Sequence, residues 1–514
     1  MKPPAPVQGT RENTIFRDVS ALNAALASLP PDAFVVAFFL HGVQVSQDEW
    51  MDPLARHLRE AGFVTVGVTT PQSAALCRLD APEYRAVLPL EDIPRIAGVQ
   101  VFIISDVDCI LPEFPQMSRV LACCHGLITA SEMTAPPHAH HLWLIDGWMC
   151  SCPLTPAIRK SATHLWTGLA GERASKRKNA HLHLIPVGYP RLAVLAEELR
   201  KHRHEPDAIV YAPTILDYHP ELGGERVKTH GERILRTLLR YFPDYQVIFR
   251  PYKRDLEHPV VRDILQRFSG EHRFVFDAEP GRLFSFSHGA ALVTDFSHIG
   301  ETFAYATLRA PVYFQPWVRA PAVTREGGVF KAANYSGLVE ALRTALRDGP
   351  RLAEELRAAR ERCIMPFDNA FDDIAGLLKD FYADRPRPGW LTVERCNPDI
   401  APDDVELVGK LLEQPPEVAS RVAAPAVMYG GNPSPLLAAF ALHLAGRHFP
   451  GLLYHTGLRE ALEARGRIRQ GEPDMAAARR LYSEALMQMS QEGNQRGKEL
   501  AERLLASLPP QGRQ

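Results

Sequence analysis

Cysteine is scarce in this sequence, with eight residues in a chain of 514. Domains held together by disulfides are usually short and much richer in cysteine, so we expect a reducing compartment. Two short groups, Cys123-Cys124-His125 and Cys150-Ser151-Cys152, lack the C-x-x-C spacing of common zinc sites. Both lie in or beside apolar runs typical of strands, where buried cysteine is common. The sequence therefore predicts no bound metal.

Long hydrophobic runs and a large net charge are also missing. No apolar segment approaches the roughly 20 residues that cross a bilayer, and the first ten residues are polar and proline-rich, unlike a signal peptide. We expect a cytoplasmic protein, with peripheral contact to the inner face of the cell membrane left open. A basic run at 173–178 fits either a solvated loop or an anionic lipid surface, and the loop is favoured. The formal net charge of −2 argues against nucleic acid as a partner.

The organisation of the chain is that of several globular domains. Hydrophobic residues make up 46% and charged residues 23% of a chain too long for one core. Apolar runs that alternate with helical patterns predict two parallel α/β series. The predicted strands are 34–42, 63–68, 99–105, 119–124 and 141–145 in the first series, and 208–212, 245–250, 274–276, 290–293 and 311–314 in the second. Predicted helices include 50–61, 228–241 and 260–268.

Three domains are predicted, with boundaries where the residue pattern of the sequence changes. Residues 1–200 form the first α/β domain and 201–395 the second, because a charged stretch at 197–206 reads as a helix and linker. From 396 to 514 the sequence has no strand signal. Its apolar residues at 436–444 and 476–486 have helical spacing, which predicts a helical tail that serves docking or homo-oligomerisation.

A polar turn after the strand at 290–293 is the most informative segment. Thr294, Asp295 and Ser297 crowd this turn, and Ser297 is placed to cap the helix that follows. A helix N-terminus at the carboxyl edge of a parallel sheet offers N–H groups and partial positive charge, which suits a phosphate. The alternative is that the polar residues only cap the helix. We expect Asp295 to orient the turn, because a carboxylate facing a pyrophosphate repels it.

Four motifs in chain order resemble the CDP-glycerol glycerophosphotransferase family, which is the teichoic-acid polymerase type of GT-B enzyme. They are a strand ending in His125-Gly126, the turn Gly188-Tyr189-Pro190-Arg191, the segment Tyr211-Ala212-Pro213-Thr214, and Thr294-Asp295-Phe296-Ser297 with the strand after Pro311. The resemblance covers residues 100 to 320 well, covers 30 to 100 only by layout, and leaves out the tail. It implies a GT-B fold, in which two Rossmann-like domains face a cleft: the first binds the acceptor and the second the nucleotide donor.

The resemblance also implies roles for single residues. His125 lies where the family has its general base, and imidazole can accept a proton near neutral pH. Thr214, Thr294, Asp295 and Ser297 would bind the donor diphosphate. Gly126 and Arg191 are possible acceptor or phosphate contacts. Arg250 is a candidate phosphate clamp, because a guanidinium group matches phosphate oxygens, with an ion pair as the alternative.

Two departures from the family pattern face the expected donor pocket. The family reads Arg-Pro-His-Pro where this chain has Arg250-Pro251-Tyr252-Lys253, so Tyr252 replaces a histidine. His298 stands where the family has a second serine. Both residues are still candidate donor-binding residues, because a phenol and an imidazole can each donate a hydrogen bond to phosphate. Both suggest a different donor or lost activity more than a changed fold.

The resemblance thus implies a transferase that moves a glycerol-phosphate or sugar unit from a CDP- or other NDP-activated donor to a cell-surface polysaccharide or lipid-linked acceptor. The donor is a substrate, and no separate cofactor is expected. Two alternatives stay open: a glycosyltransferase with another nucleotide-sugar donor, and an inactive GT-B scaffold whose helical tail recruits partners.

Overall fold

The chain is described by a computed structural model. It covers residues 15–40, 48–71, 73–74, 80–104, 114–123, 145–151, 154, 181–202, 204–214, 216, 227–279, 281–317, 319–364, 371–394, 403–429, 433–448 and 453–509. His125, Gly126, the basic run at 173–178 and most of the predicted strand at 141–145 lie outside these residues.

Nine strands form the first sheet, in the order β1-β4-β3-β2-β5-β6-β7-β8-β16. Their bounds are Ile15–Phe16 (β1), Val35–Leu40 (β2), Val64–Thr69 (β3), Tyr84–Val87 (β4), Val101–Ile104 (β5), Arg119–Cys123 (β6), Gly147–Cys150 (β7), His181–Pro186 (β8) and Leu391–Glu394 (β16). All pairs are parallel except β16 with β8. The central strands are apolar on both faces, as expected of a parallel sheet covered on both sides.

Seven strands form the second sheet, in the order β11-β10-β9-β12-β13-β15-β14. Their bounds are Ala208–Tyr211 (β9), Gln246–Phe249 (β10), Phe274–Phe276 (β11), Gly289–Thr294 (β12), Pro311–Phe314 (β13), Val323–Glu326 (β14) and Val329–Ala332 (β15). Only the β14–β15 hairpin is antiparallel. The two mostly parallel sheets confirm the predicted GT-B architecture.

Sixteen α-helices lie in the part of the chain described here. Those up to residue 382 are Val19–Ala27 (α1), Asp48–Glu60 (α2), Pro190–Lys201 (α3), Glu232–Tyr241 (α4), Pro259–Phe268 (α5), Leu283–His288 (α6), Ile299–Thr307 (α7), Tyr335–Arg347 (α8), Gly349–Cys363 (α9) and Ile374–Tyr382 (α10). The tail adds Asp404–Leu411 (α11), Pro416–Tyr429 (α12), Pro435–His448 (α13), Leu453–Ala464 (α14), Asp474–Gln491 (α15) and Gln495–Ala506 (α16). The predicted helices at 50–61, 228–241, 260–268, 436–444 and 476–486 match helices of the structure.

The tail helices share a core with the first sheet. One face of that sheet, including Phe39, Phe102 and Trp148, belongs to the same buried apolar cluster as α11–α16. The opposite face packs against α2 and α10. Both faces of the sheet are therefore buried, and the tail extends the first domain's core.

The predicted boundary at residue 395 is wrong, because the chain returns to the first sheet before the tail begins. Helix α10 packs on that sheet, where the ring of Phe381 lies so close to Gly147 of β7 that a Cβ there would be 2.5 Å from it. Strand β16 then adds to the sheet edge beside β8. This return was not predicted from the sequence, because α10 and β16 are short and follow the second domain directly.

A partly buried polar network fixes this returning segment. Asp384 accepts hydrogen bonds from His183 Nε2 at 2.7 Å and from His181 Nδ1 at 2.9 Å. Arg119 Nη2 lies 3.4 Å from the same carboxylate, and Thr392 Oγ1 lies 3.0 Å from His183 Nδ1. Arg119 opens β6 and His181 opens β8, so the network lies at the amino edge of the first sheet.

Helices cover both faces of the second sheet as well. Helices α4, α5 and α8 pack on one face. Phe286 of α6 and Phe303 of α7 pack on the other, with Leu195 and Leu199 of α3 against them. Helix α3, placed at the end of the predicted first domain, therefore contacts the second domain through its apolar side. None of the helices described here is long and apolar enough to cross a membrane.

Candidate functional site

The order of strands in the second sheet marks a site for a ligand. From β9 the chain proceeds outward through β10 and β11, then returns to the other side of β9 with β12 and β13. In open α/β sheets, ligands bind outside the carboxyl ends of the strands at such a reversal. The reversal here lies between β9 and β12, so the segments after Tyr211 and after Thr294 border the candidate site.

A hydrogen bond joins these two segments directly. The backbone amide of Thr214 lies 3.2 Å from Asp295 Oδ1 and 3.3 Å from Oδ2. Asp295 Oδ1 also accepts the amide of Phe296 at 2.7 Å. Asp295 is 6% exposed, and its main-chain carbonyl accepts Gln315 Nε2 at 2.9 Å. The structure therefore brings together two of the predicted motifs, which are 81 residues apart in sequence.

Asp295 organises the turn, as the sequence indicated. Burial raises the pKa of this carboxyl group, and the amides of Phe296 and Thr214 act in the opposite direction. Backbone amides that converge on one point form a nest, which can bind an anion. The carboxylate of Asp295 occupies the position that an external anion would take there. Asp295 thus holds the two loops together and does not present its charge to a bound diphosphate.

The other residues of the turn divide into structural and accessible groups. Thr294 is 1% exposed, and its hydroxyl donates to the carbonyl of Ala212 at 2.6 Å. The hydroxyl proton is therefore used between β9 and β12, and the predicted contact of Thr294 with phosphate stays a prediction. Ser297 and His298 lie further out. Ser297 Oγ accepts the amide of Ile299 at 3.3 Å, and the hydroxyl keeps its own proton for a ligand.

The helix that follows begins at Ile299, with His298 at its N-cap position. The predicted cap, Ser297, still supplies the side-chain oxygen at this end. The imidazole of His298 is half-exposed and lies 3.2 Å from Glu301 Oε2. It is the exposed side chain of the turn at 294–298.

Tyr313 supports the first turn of α7 from β13. A Cβ built on Gly300 would be 2.5 Å from Tyr313 Oη and 2.6 Å from Cζ, so only glycine fits above the ring. The phenol oxygen accepts the amide of Glu301. Burial raises the pKa of Tyr313, so the hydroxyl stays protonated. This helix end is therefore held by protein groups before any ligand arrives.

Arg250, predicted as a phosphate clamp, forms a buried ion pair instead. Its Nη1 lies 2.5 Å from Asp277 Oδ2, and its Nη2 donates to the carbonyl of Glu279 at 3.2 Å. Asp277 is 2% exposed and also accepts the hydroxyl of Ser285. The guanidinium group thus joins the ends of β10 and β11, and the alternative considered from the sequence applies.

Tyr252 and Thr214 flank the same edge. Tyr252 follows β10 and is half-buried, and it begins the short 3-10 turn Lys253–Asp255. Asp255, 6% exposed, accepts the amide of Leu216 at 2.9 Å and so connects this turn to the loop after β9. Thr214 lies in the same loop and is half-buried. Its own amide contacts Asp295, and the amide of Leu216, two residues later, contacts Asp255.

Arg191 lies beside the end of a strand in the first sheet. It is 5% exposed on the first turn of α3. Burial raises the pKa of the Cys123 thiol to about 12, and the nearby charge of Arg191 acts in the opposite direction. Cys123 ends β6, two residues before His125 in the sequence. Arg191 therefore belongs to the carboxyl edge of the first sheet, while the position of His125 lies outside the described residues.

Sequence reasoning missed the residues that support this edge. Asp255, Asp277 and Gln315 belong to none of the four motifs, although Asp277 and Gln315 directly follow strands β11 and β13. Tyr313 lies in the fourth motif, but no role was assigned to it. Arg309, part of the fourth motif, lies apart from the site and donates to the carbonyls of Phe286, Ser287 and Gly289. Among the residues described, no group of three or more His, Cys, Asp or Glu side chains is placed to hold a metal ion.

The chain is similar in fold to several solved structures. A variant of the wall teichoic acid polymerase TagF is 13% identical, with 70% of this chain and 91% of that chain covered and a TM-score of 0.47. UDP-GlcNAc 2-epimerase from Neisseria meningitidis, bound to UDP-GlcNAc, is 11% identical (68% and 100% covered, TM-score 0.42). UDP-GlcNAc 2-epimerase from Methanocaldococcus jannaschii is 12% identical (67% and 99%, 0.41). No protein-family model and no curated protein matches the chain.

Proposed function

We propose that this chain is a nucleotide-dependent transferase whose second domain holds the donor. The unit moved is a glycerol-phosphate or a sugar, carried on CDP or another nucleoside diphosphate, and the acceptor is a cell-surface polysaccharide or a lipid-linked molecule. The observation that carries the proposal is the Thr214–Asp295 hydrogen bond across the strand-order reversal, because it fixes two polar loops where α/β sheets bind nucleotides.

The donor site consists of the accessible groups around that bond. The Ser297 hydroxyl and the His298 imidazole lie at the outer side of the turn, and the Tyr252 phenol and Thr214 hydroxyl belong to the neighbouring loops. Hydroxyl and imidazole groups donate to diphosphate oxygens. Tyr252 and His298 differ from the glycerophosphotransferase pattern, which favours a donor other than CDP-glycerol.

The first domain contributes the acceptor side in this proposal. His125 is the general base that removes the proton of an acceptor hydroxyl. Arg191, close to the end of β6, supplies positive charge near this segment and contacts an anionic acceptor group. Peripheral contact with the inner face of the cell membrane and homo-oligomerisation through the tail remain part of the proposal.

An inactive scaffold is the second candidate, and one observation favours it. Asp295 occupies the amide nest of the turn and Asp277 neutralises Arg250. Two groups that would otherwise bind phosphate are thus used inside the protein. The tail, which shares a core with the first sheet, would then carry the interaction.

Calorimetric titration with CDP, UDP, ADP and GDP separates the candidates. The proposal predicts saturable binding with a preference for one base, and an affinity lowered by Ser297→Ala and His298→Ala. The double variant Ser269→Ala and His272→Ala is the control, because both residues are exposed and lie between α5 and β11, at the opposite edge of the second sheet. No binding of any nucleotide at millimolar concentration rejects the transferase and leaves the scaffold.

A further inference from the structure

A cleft of about 830 Å³ lies on the second domain between α4 and α8. Five arginines line it, against the single carboxylate of Glu340: Arg233, Arg236, Arg240, Arg343 and Arg347. All five arginines are exposed. So many guanidinium groups along one concave surface raise a strong positive potential, although the whole chain has a formal net charge of −2.

The spacing of the arginines makes two facing rows. Arg233, Arg236 and Arg240 recur at intervals of three and four residues, so they share one face of α4. Arg343 and Arg347 are four residues apart on α8 and form the other row. Seven residues of helix span about 10 Å, so the first row is much longer than one phosphate group. The geometry therefore suits an elongated anion.

The arginines contact aromatic rings and carboxylates, but the carboxylates are fewer than the arginines. A net positive charge therefore remains in the cleft. Arg233 stacks over the ring of Tyr335, 4.1 Å from its centroid, and Arg240 lies 5.6 Å from the ring centroid of Tyr241. Arg236 pairs with Glu232 and Arg347 with Asp348, both at 2.8 Å. Among the residues described, no carboxylate lies within 4.0 Å of the guanidinium groups of Arg240 or Arg343.

The cleft runs away from the candidate donor site. Helix α4 follows β9, and α8 follows β15, which is parallel to β13. Both helices therefore begin at the carboxyl edge of the sheet and run toward the opposite edge. Arg233 and Tyr335 lie at the end near the donor site, whereas Arg240 and Arg347 lie at the far end.

We propose that this arginine cleft binds a linear phosphate-bearing polymer, with successive phosphates meeting the two rows of guanidinium groups. Guanidinium forks match phosphate oxygens in pairs. A nucleic acid is disfavoured because binding of single strands relies on aromatic rings open to the bases, and arginines already lie over both tyrosine rings of the cleft. A bilayer is disfavoured because the rows face each other across a concave surface.

The test uses inorganic polyphosphate as the probe, with binding followed by fluorescence anisotropy at several salt concentrations. Arg240→Gln with Arg343→Gln should weaken binding about tenfold or more and reduce its salt dependence, since two phosphate contacts are lost. The matched control is Arg351→Gln with Arg357→Gln. It removes the same charge from exposed positions on α9, outside the cleft, and should change the affinity less than about twofold, because no phosphate contact is lost.

Five outcomes would overturn the proposal. Absence of polyphosphate binding, or equal weakening in the control variant, would show that the cleft has no specific role. Pyrophosphate binding as tightly as the polymer would make it a small-anion site. Tighter binding of single-stranded DNA that depends on Arg240 and Arg343 would make it a nucleic-acid site. Retention on phosphatidylglycerol vesicles, lost in the cleft variant while polyphosphate binding persists, would make it a membrane contact.

Nucleotide titrations of the Arg240→Gln with Arg343→Gln variant should be unchanged, which separates this proposal from that for the donor site.

Discussion

The backbone amide of Thr214 lies within 3.3 Å of both carboxylate oxygens of Asp295, so one buried side chain connects the loops after β9 and β12. Because the strand order reverses between those two strands, this hydrogen bond shapes the place proposed for the nucleotide. Removing it should alter the site without touching either sheet.

Asp295→Ala should destabilise the second domain and make it responsive to small anions. The change leaves the amides of Thr214 and Phe296 without their acceptor, at a cost of about 1–3 kcal/mol for each buried group left unsatisfied. Formate can enter the vacated space and accept the same amides. We expect a lowered thermal unfolding midpoint that formate at tens of millimolar partly restores, with no comparable rise in the wild type.

The control for that experiment is chloride at equal ionic strength. Chloride screens charge but cannot reproduce the two carboxylate oxygens. An equal rise in both salts, or a rise in the wild type as large as in the variant, would contradict the role given to Asp295.

Gly300→Ala should destabilise the start of α7, even though alanine is the better helix former. The new methyl group would lie about 2.5 Å from Tyr313 Oη, and overpacking of this kind typically costs about 1–3 kcal/mol. Gly349→Ala is the matched control, because a Cβ added at that position would have nothing within 4 Å. We expect a lower unfolding midpoint for the first variant and an unchanged or slightly higher one for the second. Equal midpoints would show that the ring of Tyr313 moves aside for the methyl group without a cost in stability.

The network around Asp384 predicts a pH dependence of stability. Burial lowers the pKa of His183 from its usual value near 6.5. As the pH falls below about 6.5, the unfolded chain binds a proton that the folded His183 resists, so its contribution to folding stability decreases. The pKa of Asp384 is lowered to about 2 despite its burial, because His181 and His183 hydrogen-bond its carboxylate and Arg119 lies nearby. Its stabilisation is present above the unfolded pKa of about 4 and is lost as the pH falls from there to about 2.

Urea unfolding at a series of pH values checks both parts. His183→Gln should show a shallower loss of stability between about pH 7 and 5 than the wild type, and Asp384→Asn should remove the loss below about pH 4. Parallel plots of unfolding free energy against pH for wild type and His183→Gln would show that a neutral His183 does not cause the loss of stability.

His125→Ala should abolish transfer while leaving nucleotide binding intact. Loss of a general base lowers the rate by about 10²- to 10⁴-fold, whereas the proposed donor contacts come from the second domain. The measurement is transfer of a radiolabelled unit, alongside calorimetric titration of the same preparation. Full transfer by the variant would remove His125 from the mechanism.

Much of the fold followed from hydrophobic pattern. The strands with residues apolar on both faces, such as β2, β9 and β12, were predicted within about two residues, because central parallel strands show a continuous apolar run. Short edge strands were missed: β14 is exposed and lacks that signal. The return of α10 and β16 to the first sheet was also missed, since it depends on contacts such as Phe381 with Gly147 that no local pattern encodes.

The sequence predicted which loops lie together better than which groups those loops contact. The sequence brought Thr214 and Ser297 to one edge because both follow parallel strands. It assigned Thr294 and Arg250 to the ligand because it could not show that Ala212 and Asp277 engage them. Partners 27 to 82 residues away leave no trace at the residues themselves.

Hydrogen–deuterium exchange with and without the preferred nucleotide diphosphate tests the central claim most directly. If the donor binds at the strand-order reversal, exchange should slow in peptides covering 212–216 and 294–301, while the β14–β15 hairpin at 323–332 stays unchanged. Nucleotide binding that protects neither of the first two segments would contradict the account.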